Sequence, residues 1–232
     1  MTVPPLTQMG SHLVSAEPAA AIAMHTGGAG LILGVDTDGK PVTIGLFRPE
    51  PTTVVAISGL ALAQLLSFRA LAVGAQILVQ TPRPGAWESF VHLSAGSTGA
   101  IRQVERAGSS RSGTPNQPQL LLIDNDSSAT TQHRPGASFA AMLTVHDQLT
   151  QWNAASLSSA DMVLLQGLSP FEARLAGSAL GIPAPERALA GLPADTVVLA
   201  ARNSLRSSRV VETSIEKWLI GPIARHASKG GR

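Results

Sequence analysis

The stretch TVVAISGLALAQLLSFRALAVGAQILVQTPRP, residues 53–84, decides the fold. Val54 to Ile57 is apolar and mostly β-branched, Ser58-Gly59 interrupts it, and Leu60 to Val73 carries leucines and alanines at helical spacing. Gly74 ends that helix, and Ile77-Leu78-Val79 begins a second apolar run. A strand–helix–strand crossover joins parallel strands buried on both faces, so the pattern predicts an α/β domain. In such a sheet a ligand sits at the loop after the first strand, where the amides of a helix N-terminus point outward. Here that loop is Ser58-Gly59-Leu60.

Val54 to Val79 is also long enough to cross a bilayer. Against this, it holds Arg69 near its centre, together with Gln64, Ser58, Ser67 and two glycines at the strand–helix borders. An arginine at that depth costs about 2.5–3.5 kcal/mol even on lenient scales, which favours the soluble crossover. A membrane-anchored subunit is therefore only a third reading.

The bulk composition agrees. The chain has 232 residues, 44% of them hydrophobic and 14% charged, enough for one globular core. A net charge of +2 is too small to argue for nucleic acid. The absence of cysteine excludes disulfides and thiolate chemistry. No Lys or Arg precedes Lys40, so the positive region of a signal peptide is missing.

Outward from the central stretch, residues 1–29 read as a mobile arm, 30–222 as a single α/β domain and 223–232 as a basic tail containing Arg225. Leu31 to Val35 and Val42 to Phe47 flank Asp36-Thr37-Asp38-Gly39-Lys40, a hairpin signal because Asp-Gly supplies the turn. Gly85 to Leu93 predicts a short helix with Trp87 and Phe90 inward. Strands are predicted at 101–104, 119–124, 142–145 and 161–166. Those near 53–58, 76–81, 119–124 and 161–166 are expected as parallel neighbours. Residues 107–118 and 127–136 read as loops. Ser169-Pro170-Phe171-Glu172 opens a helix with Ser at the N-cap, Pro at N1 and Glu at N3, ending at Gly181. Its Phe171 and Leu175, four apart, predict a shared buried face. A closing hairpin (196–200 and 209–211) and a helix over Ser214 to Ile220 complete the chain.

The catalytic motifs are conspicuous by what they lack. A phosphate loop needs glycines for its amides, a Lys for the phosphate charge and a Ser or Thr for magnesium. The loop after the central strand offers Gly59, then Leu60-Ala61-Leu62. Asp124 closes an apolar strand where a magnesium-orienting acid would stand, but Asn125 follows it in place of a Glu. The six histidines are scattered without metal-ligand spacing, and His146-Asp147 are strand neighbours pointing to opposite faces. Trp87, Trp152 and Trp218 are too far apart to form a stacking platform, which leaves them to a core or an interface.

Taken together these pieces resemble the motor domain of FtsK/SpoIIIE-type translocases, the group that includes the ATPases of actinobacterial type VII (ESX) secretion systems. GKPVTIGLFRPEPTTVVAISG (39–59) is similar to the segment preceding their phosphate loop, and LLLIDN (120–125) to their Walker B strand. ADMVLLQGLSPFEARLAGSALGI (160–182) and VVETSIEKWLIGP (210–222) resemble later and closing segments. The resemblance implies a three-layer domain, a mostly parallel sheet flanked by helices with an N-terminal β-hairpin. It also implies a degenerate nucleotide site at Ser58, Gly59, Leu60, Asp124 and Asn125, with no catalytic residue, cofactor or metal. The function it implies is that of a pseudo-ATPase with protein partners in a secretion apparatus, cytoplasmic or peripheral to a membrane complex. The alternative is a Rossmann-like enzyme binding a nucleotide or nucleotide-sugar at Gly59, helped by Asp124 or the Asp36/Asp38 turn.

Overall fold

The computed structural model describes residues 30–108, 111–124, 135–201 and 204–225. The expected arm at 1–29, Asn125, and most of the 127–136 loop lie outside these residues. The N-terminal hairpin is β1 (Leu31–Val35) with β2 (Pro41–Ile44), paired antiparallel. Its turn closes on Asp36, whose carboxylate accepts from the amides of Asp38 and Lys40, while Gly39 takes φ +77°.

The central crossover follows as β3 (Thr52–Ile57), α1 (Leu60–Ala72) and β4 (Gln76–Gln80). Next come α2 (Gly85–Ala95) and β5 (Ile101–Val104), then β6 (Gln119–Asp124) and β7 (Ala140–His146). The last third holds α3 (Ala155–Ser159), β8 (Met162–Gln166), α4 (Pro170–Leu180) and α5 (Pro185–Leu189). It closes with β9 (Thr196–Ala201), β10 (Ser204–Val210) and α6 (Ser214–Ile220).

All ten strands form one sheet in the order β2-β1-β10-β9-β8-β3-β7-β6-β4-β5. From β8 to β5 every pairing is parallel, and the remainder is antiparallel. The four strands expected as parallel neighbours share that segment. However, β7 stands between β3 and β6, so β3 touches β8 but neither β4 nor β6. The crossover thus skips two strands, which a local pattern cannot register.

Alternation sends β3 into two cores. Val54 and Ala56 pack with Leu62, Leu65 and Leu66 of α1 on one face, while Val55 and Ile57 meet Leu157, Ala173 and Ala176 on the other. Trp87 is fully buried on the first face and meets the Phe90 ring edge-on at 5.7 Å, as the sequence predicts. Trp152 and Trp218 are exposed instead of packed in a core.

Arg69, the residue that argues against a membrane span, ties α1 to β1 and α6. Its guanidinium pairs with Glu216 of α6 at 2.7 Å and donates to the carbonyls of Ile32, Leu33 and Val211. Burial pushes the Glu216 carboxyl up, but the Arg69 hydrogen bond and the Thr213 amide outweigh it and hold it below the ordinary range. Among the described residues no helix is long and apolar enough to cross a membrane.

The Ser169–Glu172 capping box is present with Pro170 at the helix start. Phe171, expected inward, is 51% exposed. The first turn of α4 presents Glu172 and Ala173 to the protein and leaves Phe171 outside.

Candidate functional site at the carboxyl edge of the sheet

β3 sends its chain through α1 toward β4 on one face, while β7 sends its chain through α3 toward β8 on the other. The connections therefore diverge between the adjacent strands β3 and β7, and that divergence opens the ligand crevice of an α/β sheet. Ser58, Gly59 and Leu60 stand at its carboxyl edge, as does Asp124 at the end of β6. With β7 interposed, Asp124 lies two strand spacings from β3, roughly 10 Å across the sheet. Ser58 is buried and its amide donates to the His146 carbonyl at 3.1 Å. Gly59 is the N-cap of α1 and contributes no side-chain cap.

The chain's own C-terminal segment fills the crevice. After α6, Gly221 turns at φ +82°, Ile223 is buried, and Ala224-Arg225 lie across the start of α1. A Cβ on Gly59 would stand 2.9 Å from both the Ala224 carbonyl oxygen and the Arg225 Cα. The glycine of the expected phosphate loop is thus required by close approach of the protein's own backbone.

Arg225, assigned by composition to a solvated tail, has a side chain only 1% exposed. Its Nε and Nη2 donate to the Asp147 carbonyl at 3.0 and 2.7 Å, and its Nη1 reaches the Gln166 and Gly167 carbonyls at 3.3 and 3.2 Å. The guanidinium also forms an ion pair with Glu172 through Oε1, with Oε2 at 3.2 Å. The ends of β7 and β8 and the start of α4 therefore converge on one cation. Burial alone would raise the Glu172 carboxyl. The Arg225 hydrogen bonds and the amides of Leu149 and Ser169 prevail and bring it from 4.5 down to about 2.

A second arginine saturates Asp124. Thr81-Pro82-Arg83-Pro84 turns the chain from β4 into α2 and points Arg83 along the edge. Arg83 Nη2 meets Asp124 Oδ1 at 2.6 Å, and Nε meets Oδ2 at 2.9 Å. Thr81 Oγ1 and Trp87 Nε1 each donate to Oδ2 at 2.8 Å. Asp124 is fully buried; burial pushes its carboxyl up, and Arg83, Trp87 and Thr81 pull it below the ordinary range. The same guanidinium bridges to Asp147 at 2.8 and 3.0 Å. These hydrogen bonds, the Asp124 contact first, raise the Arg83 pKa further despite its burial.

The edge is thus a chain of two arginines and three carboxylates, with one formal negative charge in excess. Arg83 and Arg225, which hold it together, are the residues the sequence reading missed. Arg83 carried a faint signal, since a proline on either side of an arginine just past a strand end restricts the backbone there. Arg225 carried none. The Asp36/Asp38 turn does not reach the site: β8, β9 and β10 separate β1 from β3, roughly 19 Å across the sheet. Among the described residues no group of His, Asp or Glu is placed to hold a metal ion.

Strand order and switch point define an α/β domain, a mostly parallel sheet flanked by helices, with an acid at its carboxyl edge. A solved structure described as an ATPase matches 85% of this chain and 93% of its own, at 15% identity and a TM-score of 0.50. The cytoplasmic domain of the type VII secretion ATPase EccC from Thermomonospora curvata matches over 85% of this chain and 31% of that longer one, at 13% identity and a TM-score of 0.47. The genome packaging NTPase of Sulfolobus turreted icosahedral virus 2, in complex with AMP, matches over 71% of this chain and 100% of its own, at 11% identity and a TM-score of 0.46. The first of these likenesses concerns the fold, which is the one the sequence resemblance implies. No model of a known protein family matches the sequence, and no curated protein matches it significantly.

Proposed function

We propose that this chain is a non-catalytic, pseudo-ATPase member of the P-loop architecture, working as a binding or structural component beside a type VII secretion apparatus. The observation that carries the reading is the occupation of the crevice by Ala224 and Arg225. A triphosphate arriving at Gly59 would meet backbone where its phosphates belong. What remains to attract it is a helix terminus, worth about 0.3–1 kcal/mol per charge at an exposed site. Phosphoryl transfer depends on positioning and charge stabilisation, and neither a phosphate-binding Lys nor a magnesium-holding Ser or Thr follows Gly59. A magnesium ion at Asp124 would have to displace Arg83 from both carboxylate oxygens. The secretion setting, with protein partners in the cytoplasm or at a membrane complex, rests on the sequence resemblance of 160–182 and 210–222.

Calorimetric titration with ATP and magnesium tests the reading on the wild-type chain and on Asp124→Asn. The expected result is no magnesium-dependent saturable heat that Asp124→Asn removes. Micromolar, magnesium-dependent binding that Asp124→Asn abolishes would overturn it and favour the nucleotide-binding enzyme. The secretion setting is tested by co-sedimentation with the assembled apparatus; failure to co-sediment removes that part.

A further inference from the structure

Far from the crevice, the amino ends of β4, β5 and β6 border a cavity. α3, α4 and α5 belong to the core that β3, β8 and β9 form on this face of the sheet. The return from β5 to β6 is a loop, and its residues Arg111, Ser112 and Gln117 enclose an open space of about 450 Å³ against the strands. Gln76, Leu78 and Arg102 from β4 and β5, with Gln119 from β6, form the other wall. Register sets Arg102 beside Leu78 and Gln119 beside Gln76.

Parallel strands normally carry apolar residues on both faces. The opposite face obeys, with Ile77, Ile101 and Leu120 buried. This face departs from it at Gln76, Arg102 and Gln119. An arginine on the edge strand β5 alone would serve to block sheet extension. Arg111 is not on a strand, yet it brings a second guanidinium to the same cavity. No hydrogen bond or ion pair engages either side chain, and no carboxylate lines the cavity among the described residues. Two like charges line one open, polar concavity within the range of small-ligand sites, about 300–1,000 Å³.

We propose that this cavity binds a phosphate group, free or as the monoester of a small molecule, between Arg102 and Arg111. Guanidinium forks match phosphate oxygens in charge and plane, and two of them suit a dianion better than a single carboxylate. The side-chain amide of Gln76 supplies a neutral donor beside it, and that of Gln119, which donates to the Gln117 carbonyl at 3.4 Å, keeps its second hydrogen for another.

The test is a titration of the full chain, isotope-labelled, followed through its backbone amide resonances. Inorganic phosphate, AMP and succinate serve as separate probes. Saturable shifts at Arg102, Arg111 and Ser112 with phosphate or AMP are expected, lost in Arg102→Gln/Arg111→Gln. Tighter saturation by AMP identifies a monoester, and tighter saturation by phosphate the free ion. No saturable shift with either, equal response to succinate, or shifts that persist in the double variant would overturn the proposal. If the double variant fails to fold, Arg111→Gln alone must weaken binding at least tenfold. Failure to bind ATP with magnesium at the crevice leaves the proposal standing, because the resonances read here lie at the other edge.

Discussion

Replacing Arg225 by methionine keeps the aliphatic stem and removes only the cation. Glu172, 8% exposed, would retain its hydrogen bonds from Leu149 and Ser169 but lose its counter-charge. Removing one partner of a buried pair costs about 3–5 kcal/mol. The displacement of the Glu172 carboxyl from 4.5 to about 2, at about 1.4 kcal/mol per unit, amounts to roughly 3 kcal/mol, which Arg225 shares with the amides of Leu149 and Ser169. The sign follows from a folded-state value below the unfolded one. The stabilisation is complete above pH 4.5 and is lost as the pH falls toward about 2. Urea unfolding at neutral pH and at steps down to about pH 3 reads both quantities. Arg225→Met should lose most at neutral pH and converge on the wild type in acid. Parallel pH curves, or a neutral-pH loss below about 1 kcal/mol, would refute the assignment of Arg225 as the crevice cation.

Three further outcomes follow from the same geometry. Gly59→Ala should cost about 1–3 kcal/mol, since its methyl would enter the backbone of residues 224 and 225; amide exchange of Ile223 to Arg225 should accelerate, and unchanged exchange would contradict the contact. Trp87→Phe removes an indole donor from buried Asp124 and should cost about 1–3 kcal/mol, measured by denaturant midpoint; a neutral result would show that the Asp124 cluster does not need it. Phe171→Ala, on an exposed first turn, should change stability by less than about 1 kcal/mol; a larger loss by calorimetry would place that ring in contacts the fold does not give it.

Much of the framework was legible because its signals are local. Gly59 and Gly74 bracket α1, the Ser169 capping box begins α4, and Ser214 to Ile220 is α6. The order of strands was not legible. β7 enters between β3 and β6 through long-range pairings that no residue near Ala140 announces. Half of the candidate site was readable, since Gly59 and Asp124 do share an edge. What those residues touch was hidden by distance along the chain. Asp124 is served by Arg83 from 41 positions away, and Glu172 by Arg225 from 53. Phe171 misled because helical spacing fixes which residues share a face but leaves open which way that face turns.

The seat of Arg225 also orders events during synthesis. Glu172 leaves the ribosome well before its counter-charge exists, and β1, made before the other strands of the sheet, can join it only when β10 has been made. Until then the nascent chain holds a carboxylate without its cation, an apolar strand β3 open along one flank until β8 follows, and a hairpin with no strand to extend. Completion must therefore come late and together, when residues 204–225 arrive. A nascent chain stalled before that point offers holdase chaperones the very surfaces that the finished protein hides.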